Sequence, residues 1–283
     1  MSSPHIETGY RINFSSSRLC LNSVFRLHNE TANIWTHLLG VCCFVLLGIY
    51  IALAKCEWTD VTPGKLITYL TDCNEKPGVP VWPLFVHVAG GIIMLGASTC
   101  HHMFMCSSQS NYATGQRCDY SGIAIMIAGS STPPFFYGFM CPEKLIWKYV
   151  WLMILYSCNS FALFTVLTPA CKGLRWLNAV AWLMASWSCA PGLLHLGLYP
   201  DTPYMRSDFL IWPWLTGAIC YSVGAVIYAI GFPERYFKKT FDIFGQSHTI
   251  FHVCILAGAA LHFYGSLDCY RGALEFTCPA YSK

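Results

Sequence analysis

Apolar residues gather in seven long runs along the chain, at approximately 34–54, 81–105, 119–139, 146–167, 176–198, 209–231 and 247–267. Each approaches the ~20 residues that an α-helix needs to cross a hydrocarbon core about 30 Å thick. The breaks between them, among them SSQSNYATGQR, CPEK, TPACKGLR, YPDTPYMRSD and FPERYFKKTFD, are polar or carry Gly, Pro and clustered charge. Such residues punctuate helices. The pattern predicts an all-α integral membrane protein, a seven-transmembrane helix bundle over 34–267. A segment 1–33 precedes it and a tail 268–283 follows.

Composition strengthens this reading. Of the 283 residues, 55% are hydrophobic and 11% charged, where soluble domains carry about 25% charged residues. Mean hydropathy is +0.45. The net charge of +3 comes with no basic cluster, which excludes a nucleic-acid partner. No apolar stretch near the start ends in a small-residue cleavage site, so the first span is expected to act as the targeting signal.

An odd number of spans puts the termini on opposite sides. Lys and Arg near span ends are slightly more numerous on the N-terminal side, which holds Arg11, Arg18, Arg26, Arg117, Lys172, Arg175, Arg235, Lys238 and Lys239. Three cations of the other side share their loop with Glu57, Asp60, Asp72 and Glu75. The bias predicts a cytosolic N-terminus and an extracellular or lumenal C-terminus. The sequons at Asn13 and Asn29 then go unused. Most of the sixteen cysteines lie in apolar runs, where they behave as small hydrophobes. Cys56 with Cys73, and Cys269 with Cys278, share segments in which disulfides could form.

Ionisable side chains inside a span are costly and point to function. His102 lies near the end of the second run, Asp119 opens the third, and His248 and His252 open the seventh. Because the second run ends where the third and seventh begin, all four fall at one depth on the N-terminal side. His248 and His252, four residues apart, share a helical face. That spacing suits two imidazoles on one metal, and His102 can be the third ligand. Three histidines with an open fourth position describe a hydrolytic zinc site, where a bound water reaches a pKa near ~7. Asp119 can orient that water or take its proton, and Ser98, one turn before His102, can donate a hydrogen bond. His37 is expected as an outer contact. His101 points about 100° away from His102 around the helix and is not expected as a ligand. His87, His195 and His262 lie toward the other leaflet and read as packing residues. Pro233, Glu234 and Arg235 read as a loop anchoring the sixth helix at the interface.

Five stretches, NETANIWTHLLG (29–40), the SxxxH of Ser98 and His102, DYSG (119–122), FPERYF (232–237) and FDIFGQSHTIFHV (241–253), occur in order along the chain. With them the chain resembles the progestin and adipoQ receptor family, most closely its adiponectin receptors; HFYG (262–265) supports that subgroup. The Ser/His, Asp and HxxxH set also resembles the wider superfamily of alkaline ceramidases. The resemblance implies seven helices with the N-terminus in the cytosol and Zn2+ on His102, His248 and His252. It implies a contact between Asp119 and the zinc-bound water. It further implies hydrolysis of ceramide to sphingosine and fatty acid, coupled to metabolic signalling, with a membrane lipid as substrate. The N-terminal segment of about 33 residues is shorter than in adiponectin receptors and resembles the Golgi-resident member that sequesters a Raf kinase. The rival readings are a receptor for an extracellular protein hormone or steroid, with structural zinc, and a Golgi scaffold holding a cytosolic adaptor or kinase. The expected location is the plasma membrane or the Golgi membrane.

Overall fold

The computed structural model describes residues 4–55, 79–171, 173–198, 211–275 and 278. All regular structure among them is helical. A short α1 (Ser17–Ser23) precedes α2 (Thr31–Lys55), α3 (Trp82–Phe104), α4 (Gln109–Gly138), α5 (Leu145–Leu167), α6 (Arg175–Trp187), α7 (Ala190–Leu198), α8 (Ile211–Ile230) and α9 (Ser247–Glu275). Among the described residues, six helical stretches are long and apolar enough to cross a bilayer: α2, α3, α5, α6 with α7, α8 and α9.

The third expected span is not one of the six. Its helix, α4, begins ten residues before the expected 119 and runs for 30 residues, about 45 Å at 1.5 Å per residue. Ser108 caps it, its hydroxyl accepting from Asn111 N–H at 3.1 Å, so the polar stretch 109–118 is helical rather than a break. The membrane-depth part of α4 is rich in small and hydroxylated residues, including Gly122, Gly129, Ser130, Ser131 and Thr132, all buried. It packs against α3, α5 and α9, and side chains facing protein need not be apolar in the way lipid-facing ones must be.

Glycines allow that packing. A Cβ on Gly122 would lie 2.7 Å from Met94 Cα, and one on Gly129 would lie 2.9 Å from Val86 O. The helices α3 and α4 are therefore in backbone contact, as small residues permit between membrane helices. The main core joins α2, α3 and α9 through Phe44, Leu84, Val88, Leu95, Ala259 and Phe263. Outward, Leu46, Ile93, Met153, Phe164, Leu183 and Val226 are exposed, the surface expected to face lipid tails.

Three further differences from expectation concern the fifth run, the seventh run and the cysteines. The fifth run is two helices that part at Ser188 and Cys189. The Ser188 hydroxyl donates back to Ala185 O at 2.7 Å, and Pro191 follows in the first turn of α7. The seventh helix continues to Glu275, into the stretch expected as tail. Cys269 is not paired with Cys278: it is a buried free thiol, and Cys278 forms a disulfide with Cys141 beyond the end of α4. Cys56 and Cys73 lie outside the described residues.

Candidate metal centre

α9 starts where the chain turns through Gly245 at φ +75°. Its first N–H groups lack helical partners, and Glu234 supplies one. The Glu234 carboxylate accepts from the Ser247 N–H at 2.7 Å and from the Ser247 hydroxyl. Glu234 thus anchors α9, not α8 as expected from the sequence. The cap fixes the first two turns, which carry His248 and His252. The last turn of α3 carries His102.

These three imidazoles converge. Potential ligand atoms of His102, His248 and His252 all lie within 4.8 Å of one another. The rings meet edge to face, with centroids 4.9 Å apart for His102 with His248, 4.9 Å for His102 with His252 and 4.7 Å for His248 with His252. His102 and His252 are each 2% exposed.

Their hydrogen bonds decide which nitrogens are free. His102 Nδ1 lies 2.8 Å from Glu30 Oε2. A carboxylate only accepts, so Nδ1 carries the proton and Nε2 keeps its lone pair. That Nε2 is buried and has no hydrogen-bond partner. His252 Nδ1 lies 3.3 Å from the carbonyl of Asn33 and 3.3 Å from the Thr36 hydroxyl. A carbonyl likewise accepts, so His252 also presents Nε2. Buried imidazole nitrogens with free lone pairs, clustered in this way, fit a divalent ion of nitrogen preference such as zinc.

The other expected residues fall as follows. Ser98 is buried on α3, and Asp119 is half-buried on the facing α4. Asp119 stands outside the group of mutually close ligand atoms. His37 stacks on His252 with centroids 3.6 Å apart and planes at 7°, the outer contact expected. His101 packs on Tyr112 instead of joining the cluster. At the other end, His87 bonds Ser266 at 2.9 Å, His195 accepts from Trp151 Nε1 at 3.1 Å, and His262 contacts Trp214 O at 3.2 Å.

Sequence reading missed Glu30 and Arg11. Glu30 stands just before α2, its side chain 14% exposed. Its carboxylate accepts from His102 Nδ1–H and from the Asn33 amide, both at 2.8 Å. Arg11 donates to His102 O at 2.6 Å and Met103 O at 2.8 Å, closing the carbonyl end of α3. It belongs to a strap of N-terminal chain across this end of the bundle. Thr8 N–H and hydroxyl each donate to Asp242 at 2.7 Å, and Asn29 N–H donates to Gly9 O at 2.9 Å. Between strap, α3 and α4 opens a cavity of about 530 Å³ whose wall includes Tyr10, Arg11, Glu30, Met105 and Tyr112. Asn29 is buried and its carbonyl accepts from Gln246 Nε2, so its sequon is inaccessible.

An all-helical membrane bundle with a buried three-histidine cluster at one end defines the class. The model of the family described as Haemolysin-III related matches residues 25–263, and the chain belongs to that family. It is 31% identical over 263 residues to the "Adiponectin receptor protein" of Drosophila melanogaster, covering 92% of this chain and 55% of that one. With "Heptahelical transmembrane protein 1" of Arabidopsis thaliana it shares 34% identity over 248 residues, 87% of this chain and 70% of the relative. With "Progestin and adipoQ receptor-like protein 1" of Caenorhabditis elegans it shares 29% over 279 residues, 96% and 58%. The chain thus spans little more than half the length of the fly and worm relatives.

Proposed function

We propose that the protein is a zinc-dependent hydrolase of a lipid amide, with ceramide as substrate and sphingosine and a fatty acid as products. The observation that carries this is the convergence of His102, His248 and His252, at the end of the bundle where α3 carries Ser98 and the facing α4 carries Asp119. His102 and His252 would hold zinc through Nε2, with His248 as third ligand. Zinc in such a site supplies Lewis acidity toward a carbonyl and a water that ionises near neutral pH. Asp119 takes the proton from the attacking water and returns it to the departing amine. Ser98, one turn before His102 on α3, would supply the hydroxyl that orients the Asp119 carboxylate. The buried setting keeps bulk water from these polar groups and strengthens their interactions.

The same reading places the N-terminus and the metal centre on the cytosolic side. Disulfides persist in oxidising compartments, and the Cys141–Cys278 bond at the opposite end supports a lumenal or extracellular C-terminus. The membrane would be that of the Golgi or the cell surface. A cytosolic adaptor or kinase would meet the strap face. A second reading, a hormone receptor in which zinc is structural, draws on the name of the fly relative.

Ceramide turnover by purified protein, with metal content measured alongside, separates the two. The expected result is that Asp119→Ala keeps zinc and loses turnover by ~10²-fold or more, while His252→Ala loses both. Zinc-loaded wild type that leaves ceramide intact would remove the hydrolase reading.

A further inference from the structure

We propose that Glu30 is a positioning residue that fixes His102 as a metal ligand through Nε2, an inference that rests on the metal centre described above. The contact is direct: His102 Nδ1 donates to Glu30 Oε2 at 2.8 Å across 72 residues of sequence. The partner nitrogen, Nε2, is buried and unbonded. A buried polar atom without a partner is costly, so this arrangement suits a cluster that an electron-pair acceptor fills. Metal-bound histidines commonly hand their second N–H to a carboxylate, which sets the tautomer and the ring orientation.

Glu30 is itself held from several sides. Asn33 Nδ2 donates to Oε2 at 2.8 Å, and Asn29 Nδ2 donates to Oε1 at 3.3 Å. The Glu30 carbonyl accepts from Ile34 N–H at 3.0 Å, which makes Glu30 the residue capping α2. Its carboxylate therefore sits at the positive end of that helix. The same short segment reaches the second ligand helix. Asn33 Oδ1 accepts from the Thr249 hydroxyl at 2.7 Å, and Asn33 O accepts from His252 Nδ1 at 3.3 Å. Residues 30–33 thus orient one imidazole from α3 and one from α9. Arg11 adds to this by holding the main-chain carbonyl of His102. Glu30 faces Nδ1 and stands outside the group of close ligand atoms, so its role is orientation rather than ligation.

The test uses the full chain in detergent, with Glu30→Gln beside wild type. Zinc affinity is read by competition with a chromophoric chelator, and the Co2+-loaded proteins are compared by visible absorption. The glutamine variant is expected to bind zinc ~10–100-fold more weakly and to give a changed Co2+ band, while its metal-free melting matches wild type. Glu30→Asp, which keeps the charge and draws the carboxylate back by one carbon, is expected to fall between the two. It carries the same comparison if the glutamine variant does not fold. Equal zinc affinity and an identical Co2+ spectrum would overturn the role of Glu30 alone. So would a loss of metal-free melting that accounts for the whole effect. A wild-type protein that takes up no metal would overturn the metal centre itself, and the Glu30 role with it.

Discussion

Gly122→Ala tests whether the close packing of α3 and α4 sets the placement of Asp119 relative to the imidazole cluster. Gly122 lies three residues after Asp119 on α4, and Met94 lies four residues before Ser98 on α3. A Cβ at 122 would sit 2.7 Å from Met94 Cα and 3.4 Å from Met94 Cβ and O. Comfortable carbon contacts are about 3.5–4.0 Å. The obstacle is backbone, which no rotamer change removes, so the helices must part by about 1 Å at this level. Overpacking of this kind costs ~1–3 kcal/mol. The separation arrives one turn from Ser98 on α3 and one turn from Asp119 on α4, and a misplacement of ~1 Å can cost about 10²-fold in rate. The three clustered imidazoles lie on α3 and α9, so metal content should hold. The assay is thermal unfolding, zinc content and ceramide turnover on one preparation. The expected outcome is a melting point lower by roughly 2–12 °C, full zinc and turnover down by about 10²-fold. Gly96→Ala is the control, because its Cβ would meet only Val41 Cγ2 at 4.0 Å. A Gly122→Ala protein with wild-type melting and turnover would refute the reasoning, and so would one that loses zinc.

Two other outcomes follow from the end of the bundle that carries the imidazole cluster. Glu234→Ala leaves the Ser247 N–H and hydroxyl buried without their acceptor, at about 1–3 kcal/mol for each group; hydrogen exchange at residues 247–250 should quicken and zinc should be held less tightly. His28 is held neutral, its pKa lowered to about 4 chiefly by burial and then by Arg11. The free imidazole titrates near ~6.5, so the undocked segment gains the proton first. Docking of residues 20–31 is therefore full above pH ~6.5 and weakens as pH falls toward 4; exchange in that segment should rise over this window in wild type and not in His28→Gln.

Much of the site was legible because membrane depth is a one-dimensional coordinate. Counting spans put His102, Asp119, His248 and His252 at one level, and the structure brings the three imidazoles together there. The i, i+4 spacing of His248 and His252 made their shared face readable. Glu30 was less legible. Its signal was an acid directly before an apolar run with Asn33 three residues on, a pattern that first reads as helix capping. Its bond to His102 joins residues 72 positions apart, and no local periodicity encodes such a pairing. The start of α4 was misread because Asn, Gln and Ser look like a loop, whereas Ser108 at the cap lets them continue a helix. Disulfide connectivity is likewise non-local: Cys278 passes over Cys269 to reach Cys141, 137 residues away.

That bond makes the molecule topologically unequal. It closes a ring of chain from residue 141 to residue 278, and α5 to α9 all hang within it. His248 and His252 ride on the ring, while Ser98, His102 and Asp119 belong to the free arm that leads into it. The imidazole cluster is thus a clasp between a loop and its lead. A peptide bond severed between α5 and α6 would leave two pieces that migrate together until a thiol is added.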